Sequence, residues 1–271
     1  MTNSFDLDRY IARIGHQGPA HADLATLSAL HRAHVAAIPF EGLDPLLGRP
    51  VNLDLPALQA KLVDSRRGGY CFEQNTLFKA ALDAIGFKTT GLSGRVRWMT
   101  PPEAPLGPRV HMLLKVDLPD GPYIADVGFG VCILDQPLRL EMGREQRTGM
   151  GTYRLTEANG RIALEALQPG GWRTAYIFDL EPQLASDYAL GNWYTSTSPY
   201  VPFTSTLVAE RVAGDKRYKL ANTRLRIEAR DGEVTSERTL ETPAELHRTL
   251  DDIFGLTAPA SAEDLFTRIS R

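Results

Sequence analysis

The chain has 271 residues, 43% hydrophobic and 23% charged, with a formal net charge of −3 at pH 7. These values suit a globular protein; they exclude a long coiled coil or a disordered chain and disfavour a broadly basic nucleic-acid surface. No apolar run reaches the ~18–20 residues of a membrane span, Met1-Thr2-Asn3-Ser4-Phe5-Asp6 has neither the basic nor the apolar region of a secretory leader, and two cysteines, Cys71 and Cys132, fit a reducing cytoplasm better than a disulfide scaffold.

At roughly 100–200 residues per domain, the length allows one large domain or two to three packed lobes. The first ninety residues read as helical. Leu7, Ile11 and Ile14 recur at helical spacing, with Gly15 as a stop. A second apolar run, Leu24 to Ile38, ends at Pro39, and a short helix spans Pro56 to about Val63. A fourth helix starts at about Cys71 and runs to Ile85, with Phe78, Ala81, Leu82 and Ile85 on one face. Residues 87–170 then change to short β-type runs. Val110–Leu118 and Tyr123–Val127 flank Pro119-Asp120-Gly121, the pattern of a hairpin, and Pro101–Pro105 reads as a surface turn. This middle segment predicts a small antiparallel sheet or barrel. In the last ninety residues, Arg224–Ala229 alternates as a strand, with Arg230-Asp231-Gly232 as its turn. Thr242-Pro243-Ala244-Glu245 reads as a capping box, and a terminal helix lies near Ser261–Ile269.

The chemistry-bearing segment is Arg66-Arg67-Gly68-Gly69-Tyr70-Cys71-Phe72-Glu73-Gln74-Asn75. Two glycines allow a tight turn and close approach of backbone to ligand. The helix start that follows offers unpaired N–H groups and partial positive charge, which favour the reactive thiolate form of a cysteine. A nucleophile of this kind needs a base, and the base needs an orienting group. His111, at the start of one predicted strand, and Asp126, near the end of the next, fit those roles. With a two-residue turn at Asp120-Gly121 they share a face but sit four positions out of register, roughly 13 Å along the strand. Contact then requires a bulge, another register or a different turn. His31 and His34, three apart, lack the further ligands of a metal site and read as solvated or partly buried; Cys132 reads as core.

Ile38-Pro39-Phe40-Glu41, Arg67–Asn75, His111, Asp126-Val127-Gly128-Phe129-Gly130 and Asn192–Pro199 occur in an order and spacing that resemble the arylamine N-acetyltransferase family. The resemblance implies an α+β fold: a helical bundle (1–90) carrying the cysteine, an antiparallel β-barrel (91–195) carrying the histidine and aspartate, and an α/β lid (196–271). It implies a catalytic triad of Cys71, His111 and Asp126, in contact despite the register. The implied reaction is ping-pong transfer of acetyl from acetyl-CoA to arylamines, hydrazines or N-hydroxyarylamines. It also implies Phe40, Val96 and Phe129 around the acceptor, and Gly128, Phe129, Gly130 and Phe203 near the CoA cleft. Glu41 and Arg67 match an ion pair that braces the cysteine loop. Gly107-Pro108 stands where some members have Thr-Gly near CoA, and Arg109 beside it offers a charge for a phosphate. No metal or prosthetic group, nucleic acid or membrane is implied, and the chain is expected as a cytoplasmic monomer or homodimer. An amide synthase acting on another acyl thioester and a cysteine thioester hydrolase are the alternative readings.

Overall fold

A computed structural model describes residues 5–101 and 103–270; Met1–Ser4, Pro102 of the proline-rich turn and Arg271 lie outside the described residues. Helix α1 (Leu7–Ile14) starts where the Asp6 carboxylate accepts the Arg9 N–H, and α2 (Leu24–Ala37) where Asp23 accepts that of Thr26. Each cap satisfies an N–H that the helix leaves unpaired. Pro39 stops α2, and the chain continues through a two-residue strand β1 (Phe40–Glu41) and short helices α3 (Leu43–Leu46) and α4 (Leu55–Leu58). The predicted third helix is only partly α-helical, because its second half, Gln59–Asp64, widens into a π-helical turn. Helix α5 (Cys71–Ile85) has the predicted limits. Its buried Phe72, Leu77, Phe78 and Leu82 join Leu27, Leu30, Leu58 and Leu62 in one apolar core with Met112, Leu114 and Val116 of the following sheet. That shared core fixes the cysteine helix against the strand that begins at His111.

Strands β2 (Lys88–Val96), β3 (His111–Leu118), β4 (Gly121–Ala125), β5 (Leu138–Arg139), β6 (Gln146–Arg147), β7 (Thr152–Ala158), β8 (Arg161–Gln168) and β9 (Gly171–Phe178) form an antiparallel sheet in the order β5-β4-β3-β2-β9-β8-β7-β6. It curls into a nearly closed barrel. The Gln146 side chain on β6 accepts the N–H of Arg139 on β5 at 2.7 Å and donates to its carbonyl at 2.8 Å.

The β3–β4 hairpin settles the register question. Leu118 pairs with Gly121 and Leu114 with Ala125, so the turn residues are Pro119-Asp120 rather than Asp120-Gly121. This one-residue change halves the predicted stagger of His111 and Asp126 to two positions, about 6.6 Å at ~3.3 Å per residue, and keeps both on the same face. Strand β4 ends at Ala125, which frees Asp126 to turn toward the histidine.

Helix α6 (Ala185–Thr197), which the sequence pattern does not announce, leads to strands β10 (Val208–Ala213), β11 (Lys216–Ala221), β12 (Arg224–Glu228) and β13 (Val234–Thr239). Helices α7 (Pro243–Arg248) and α8 (Ala262–Ile269) follow, as expected. The second sheet runs β1-β10-β11-β12-β13, with Phe40 opposite Glu210 and Glu41 opposite Ala209. One edge of the C-terminal sheet is therefore supplied by residues just upstream of the cysteine loop. Among the described residues no helix is long and apolar enough to cross a membrane.

Candidate active site

Cys71 is the first residue of α5, free and buried to 6% exposure. The turn that delivers it is held on several sides. The Glu73 carboxylate accepts the Tyr70 N–H at 3.1 Å, and the Gln74 amide donates to the carbonyls of Pro39 at 2.8 Å and Gly69 at 3.2 Å. Arg67 pairs with Glu41 at 2.7 Å and Asp44 at 3.2 Å, and Lys61 binds Asp44 and Glu73 at 2.5 and 2.6 Å. Gly128 packs directly over the nucleophile candidate; a Cβ at that position would lie 2.7 Å from the Cys71 Cα, so only glycine fits.

His111 Nε2 meets Asp126 Oδ2 at 2.7 Å, with the two side chains 2% and 0% exposed. The Cys71 thiol lies close enough to His111 to bear on its charge, and it donates to the Val110 carbonyl oxygen at 3.6 Å. The structure thus brings the three predicted residues together, with His111 and Asp126 hydrogen-bonded and Cys71 beside them. Burial by itself would lower the His111 pKa, but the charge and hydrogen bond of Asp126, with a further contribution from Cys71, push it up to about 10. The Asp126 carboxyl is held below the usual range: burial works against this, and the His111 charge and the bonds from His111, Asn75 and the Gly128 N–H outweigh it. The arrangement places a protonated imidazole beside the sulfur at neutral pH.

Four residues that support this site have no role assigned from the sequence. Asn75 donates to Asp126 Oδ1 at 2.9 Å and to the Met112 carbonyl at 2.8 Å, and accepts the Val127 N–H at 3.1 Å. Its position four residues after Cys71 on one helix face was the available signal. Tyr176, on β9, donates to Asp126 Oδ2 at 2.9 Å, and its ring lies tilted with its centre 4.6 Å from that of His111. Nothing local in sequence points to it. His31 and His34 are a correction: both are fully buried, not solvated. His31 Nε2 accepts the Asp126 N–H at 3.2 Å. His34 bonds Tyr10 at 2.8 Å and Gln74 at 2.7 Å. They read as polar in sequence because the partners that satisfy them lie up to 95 residues away. Among the described residues no cluster of three or more His, Cys, Asp or Glu is arranged to hold a metal.

The other expected site residues gather nearby. The Phe129 ring lies 5.0 Å from His111, 5.1 Å from Tyr176 and 6.3 Å from Trp98. Val96 packs against the same apolar cluster, at the end of β2 opposite Tyr176. Gly130 abuts the Phe40 ring, where a Cβ has no room, and Phe203 stands 5.9 Å from Phe40 and 5.6 Å from Tyr70. A cavity of about 570 Å³ opens beside Ser93, Pro108, Arg109 and Val110, on the α6 side rather than on the Phe40–Phe129 side. Arg109 there pairs with Asp179 at 2.7 Å and Glu181 at 3.1 Å. Cys132 sits in the core, where burial pushes its thiol up and away from the reactive thiolate.

The model of an N-acetyltransferase family matches residues 23–262. An arylamine N-acetyltransferase of Mycolicibacterium smegmatis is 45% identical over 227 residues, 83% of this chain and 82% of the relative. An arylamine N-acetyltransferase / N-hydroxyarylamine O-acetyltransferase of Salmonella typhimurium is 44% identical over 202 residues, covering 74% of this chain and 71% of its own. The solved structure of Mycobacterium marinum arylamine N-acetyltransferase in complex with CoA superimposes with a TM-score of 0.92 at 39% identity, over 97% of this chain and 98% of that one.

Proposed function

This chain belongs to the arylamine N-acetyltransferase family and moves acetyl from acetyl-CoA to arylamines, and from that premise we propose that it works by ping-pong chemistry on Cys71, with His111 and Asp126 as its partners. The observation that supports this most is the buried contact of Asp126 Oδ2 with His111 Nε2 at 2.7 Å, beside the free Cys71 at the start of α5. The Cys71 sulfur attacks the thioester carbonyl and forms the S–C bond as the C–S bond to CoA breaks. The N–H groups of the first turn of α5, left unpaired by the helix, are suited to the tetrahedral oxyanion. The His111 imidazolium gives its proton to the departing CoA thiolate and then takes one from the arylamine nitrogen as that nitrogen attacks the acetyl-cysteine. Asp126 holds the tautomer and the charge of the ring.

In this reading Phe40, Val96 and Phe129 wall the acceptor, since aromatic and aliphatic surfaces suit a planar amine. Gly128, Phe129, Gly130 and Phe203 border the path of CoA. Hydrazines and N-hydroxyarylamines are further acceptors by the same chemistry. We also assign helical, barrel and lid domains near the expected 1–90, 91–195 and 196–271, with the limits moved to Phe87 and Ser198 because 90/91 falls inside β2 and 195/196 inside α6. Two free cysteines suit a reducing compartment, the cytoplasm, where we place the chain as a monomer or homodimer. Initial rates measured over a grid of acetyl-CoA and arylamine concentrations test the reading. Parallel double-reciprocal lines are expected for an acetyl-enzyme route; intersecting lines contradict it.

A further inference from the structure

Glu210 on β10 and Arg217 on β11 are each 1% exposed and pair at 3.2 Å in the C-terminal sheet. Glu228 lies 3.9 Å from Arg217 and is itself held by Lys219 at 2.7 Å. Buried charges of this kind add little net stability, because desolvation offsets their attraction and apolar side chains of similar size often serve as well. These two grip the main chain of a single residue on both sides. Glu210 Oε1 accepts the Ile133 N–H at 3.3 Å, and Arg217 Nη2 donates to the Ile133 carbonyl at 3.0 Å. Arg217 Nη2 also reaches the Tyr153 hydroxyl at 3.4 Å.

Ile133 ends the turn that begins at Phe129. The Val131 and Cys132 N–H groups both donate to the Phe129 carbonyl, at 2.8 and 3.1 Å, so 129–133 is a tight unit. The backbone of Glu210 also pairs with Phe40 across β1 and β10, and Gly130 lies directly on the Phe40 ring. One residue of the C-terminal sheet is therefore tied by its main chain to Phe40 and by its carboxylate to the loop that carries Phe129.

We propose that Glu210 and Arg217 are positioning residues that fix the spacing of the Phe40 and Phe129 walls and so set the affinity for aromatic acceptors. The inference rests on the reading of those two rings as the acceptor pocket. A displacement on the order of 1 Å in such a wall weakens alignment of a bound ring strongly, while a nucleophile too small to touch the walls is indifferent to it.

The test compares the wild type with Glu210→Leu/Arg217→Met, which removes both charges together and leaves Lys219 with Glu228, with Glu210→Gln, which still accepts the Ile133 N–H, and with Phe129→Ala as reference. Three quantities are read: the rate of enzyme acetylation by acetyl-CoA alone, the KM for 4-methylaniline, and the rate of deacetylation by hydrazine. The double variant is expected to raise the KM for 4-methylaniline about tenfold while the other two rates stay within about twofold, with Glu210→Gln close to wild type. An unchanged KM in the folded double variant overturns the proposal, as does a fall in the acetylation and hydrazine rates as large as the rise in KM. If the double variant does not fold, Arg217→Lys, which keeps the charge and loses the planar fork, is judged by the same three readings. If Phe129→Ala leaves the KM unchanged, the assignment of the acceptor walls fails, whatever the clamp variants do.

Discussion

His31 and His111 are almost equally hidden from solvent, at 0% and 2% exposure, and both bond to Asp126. Their charge states diverge. His31 touches the backbone N–H of Asp126, and burial dominates, taking its pKa down to about 4 despite the carboxylates of Asp126 and Asp135. His34, one turn along α2, falls to about 3 for the same reason, with the Gln74 bond opposing. His111 suffers the same burial but bonds the Asp126 carboxylate itself, and its pKa rises to about 10. Burial in this fold therefore decides nothing by itself. A direct carboxylate bond converts a buried imidazole into a cation poised beside sulfur, whereas an amide bond leaves it a neutral strut.

The largest effect expected is from Cys71→Ser. A serine hydroxyl is far less ionised than a thiol, and the imidazolium beside it is no base, so arylamine acetylation should fall by about 10⁴-fold or more; retained turnover removes Cys71 as nucleophile. Asp126→Asn attacks the comparison itself. It should lower acetylation by about 10³–10⁴-fold and bring the His111 pKa, followed by imidazole NMR, below its ordinary value, as in His31. A His111 that stays protonated at pH 8 in that variant would deny Asp126 its role.

The pH dependence follows next. The folded-state pKa of His111 lies above its ordinary 6.5, so the charged form and the stability it contributes are fully present below 6.5 and are lost as pH rises through about 10. Alkylation of Cys71 by iodoacetamide should show no inflection near 6.5 attributable to His111, and His111→Ala should slow it at pH 6–7; unchanged labelling in His111→Ala breaks the ion pair. His31 has the opposite sign. Its folded pKa of about 4 is below 6.5, so the unfolded chain takes up the proton first and stability falls as pH drops from 6.5 toward 4. His31→Leu strands the Asp126 N–H, which costs about 1–3 kcal/mol at pH 7, and it removes part of that acid slope in thermal melts; a melting curve identical to wild type at both pH values contradicts the strut role. The smallest effect is Arg109→Ala, where the KM for acetyl-CoA should move by less than about twofold, because the guanidinium points to Asp179 and Glu181 and breaking such partly exposed pairs costs little. A larger rise would restore its role toward a phosphate.

The sequence carried the nucleophile's setting openly: the glycine pair, the helix start at Cys71 and the apolar face of α5 are all local patterns. It carried His111 and Asp126 as types in suitable places, but their contact depended on whether the turn is Pro119-Asp120 or Asp120-Gly121, a one-residue matter that turn chemistry does not decide. The supports of Asp126 were out of reach. Tyr176 is 50 residues from it and His31 is 95, so no periodicity joins them. The strand at Phe40–Glu41 is too short for any pattern, yet it carries the edge of the C-terminal sheet. Arg217 alternates with its neighbours like any surface residue of a strand, and only the packing of β10 and β11 over the Ile133 loop buries it.

The most direct measurement is the intact mass of the protein mixed with acetyl-CoA and no acceptor. A gain of one acetyl group is expected, located on Cys71, discharged on addition of an arylamine and absent in Cys71→Ala. CoA released with no adduct would make the protein a thioester hydrolase, and an adduct that survives Cys71→Ala or resists the amine would contradict the acetyl-cysteine route.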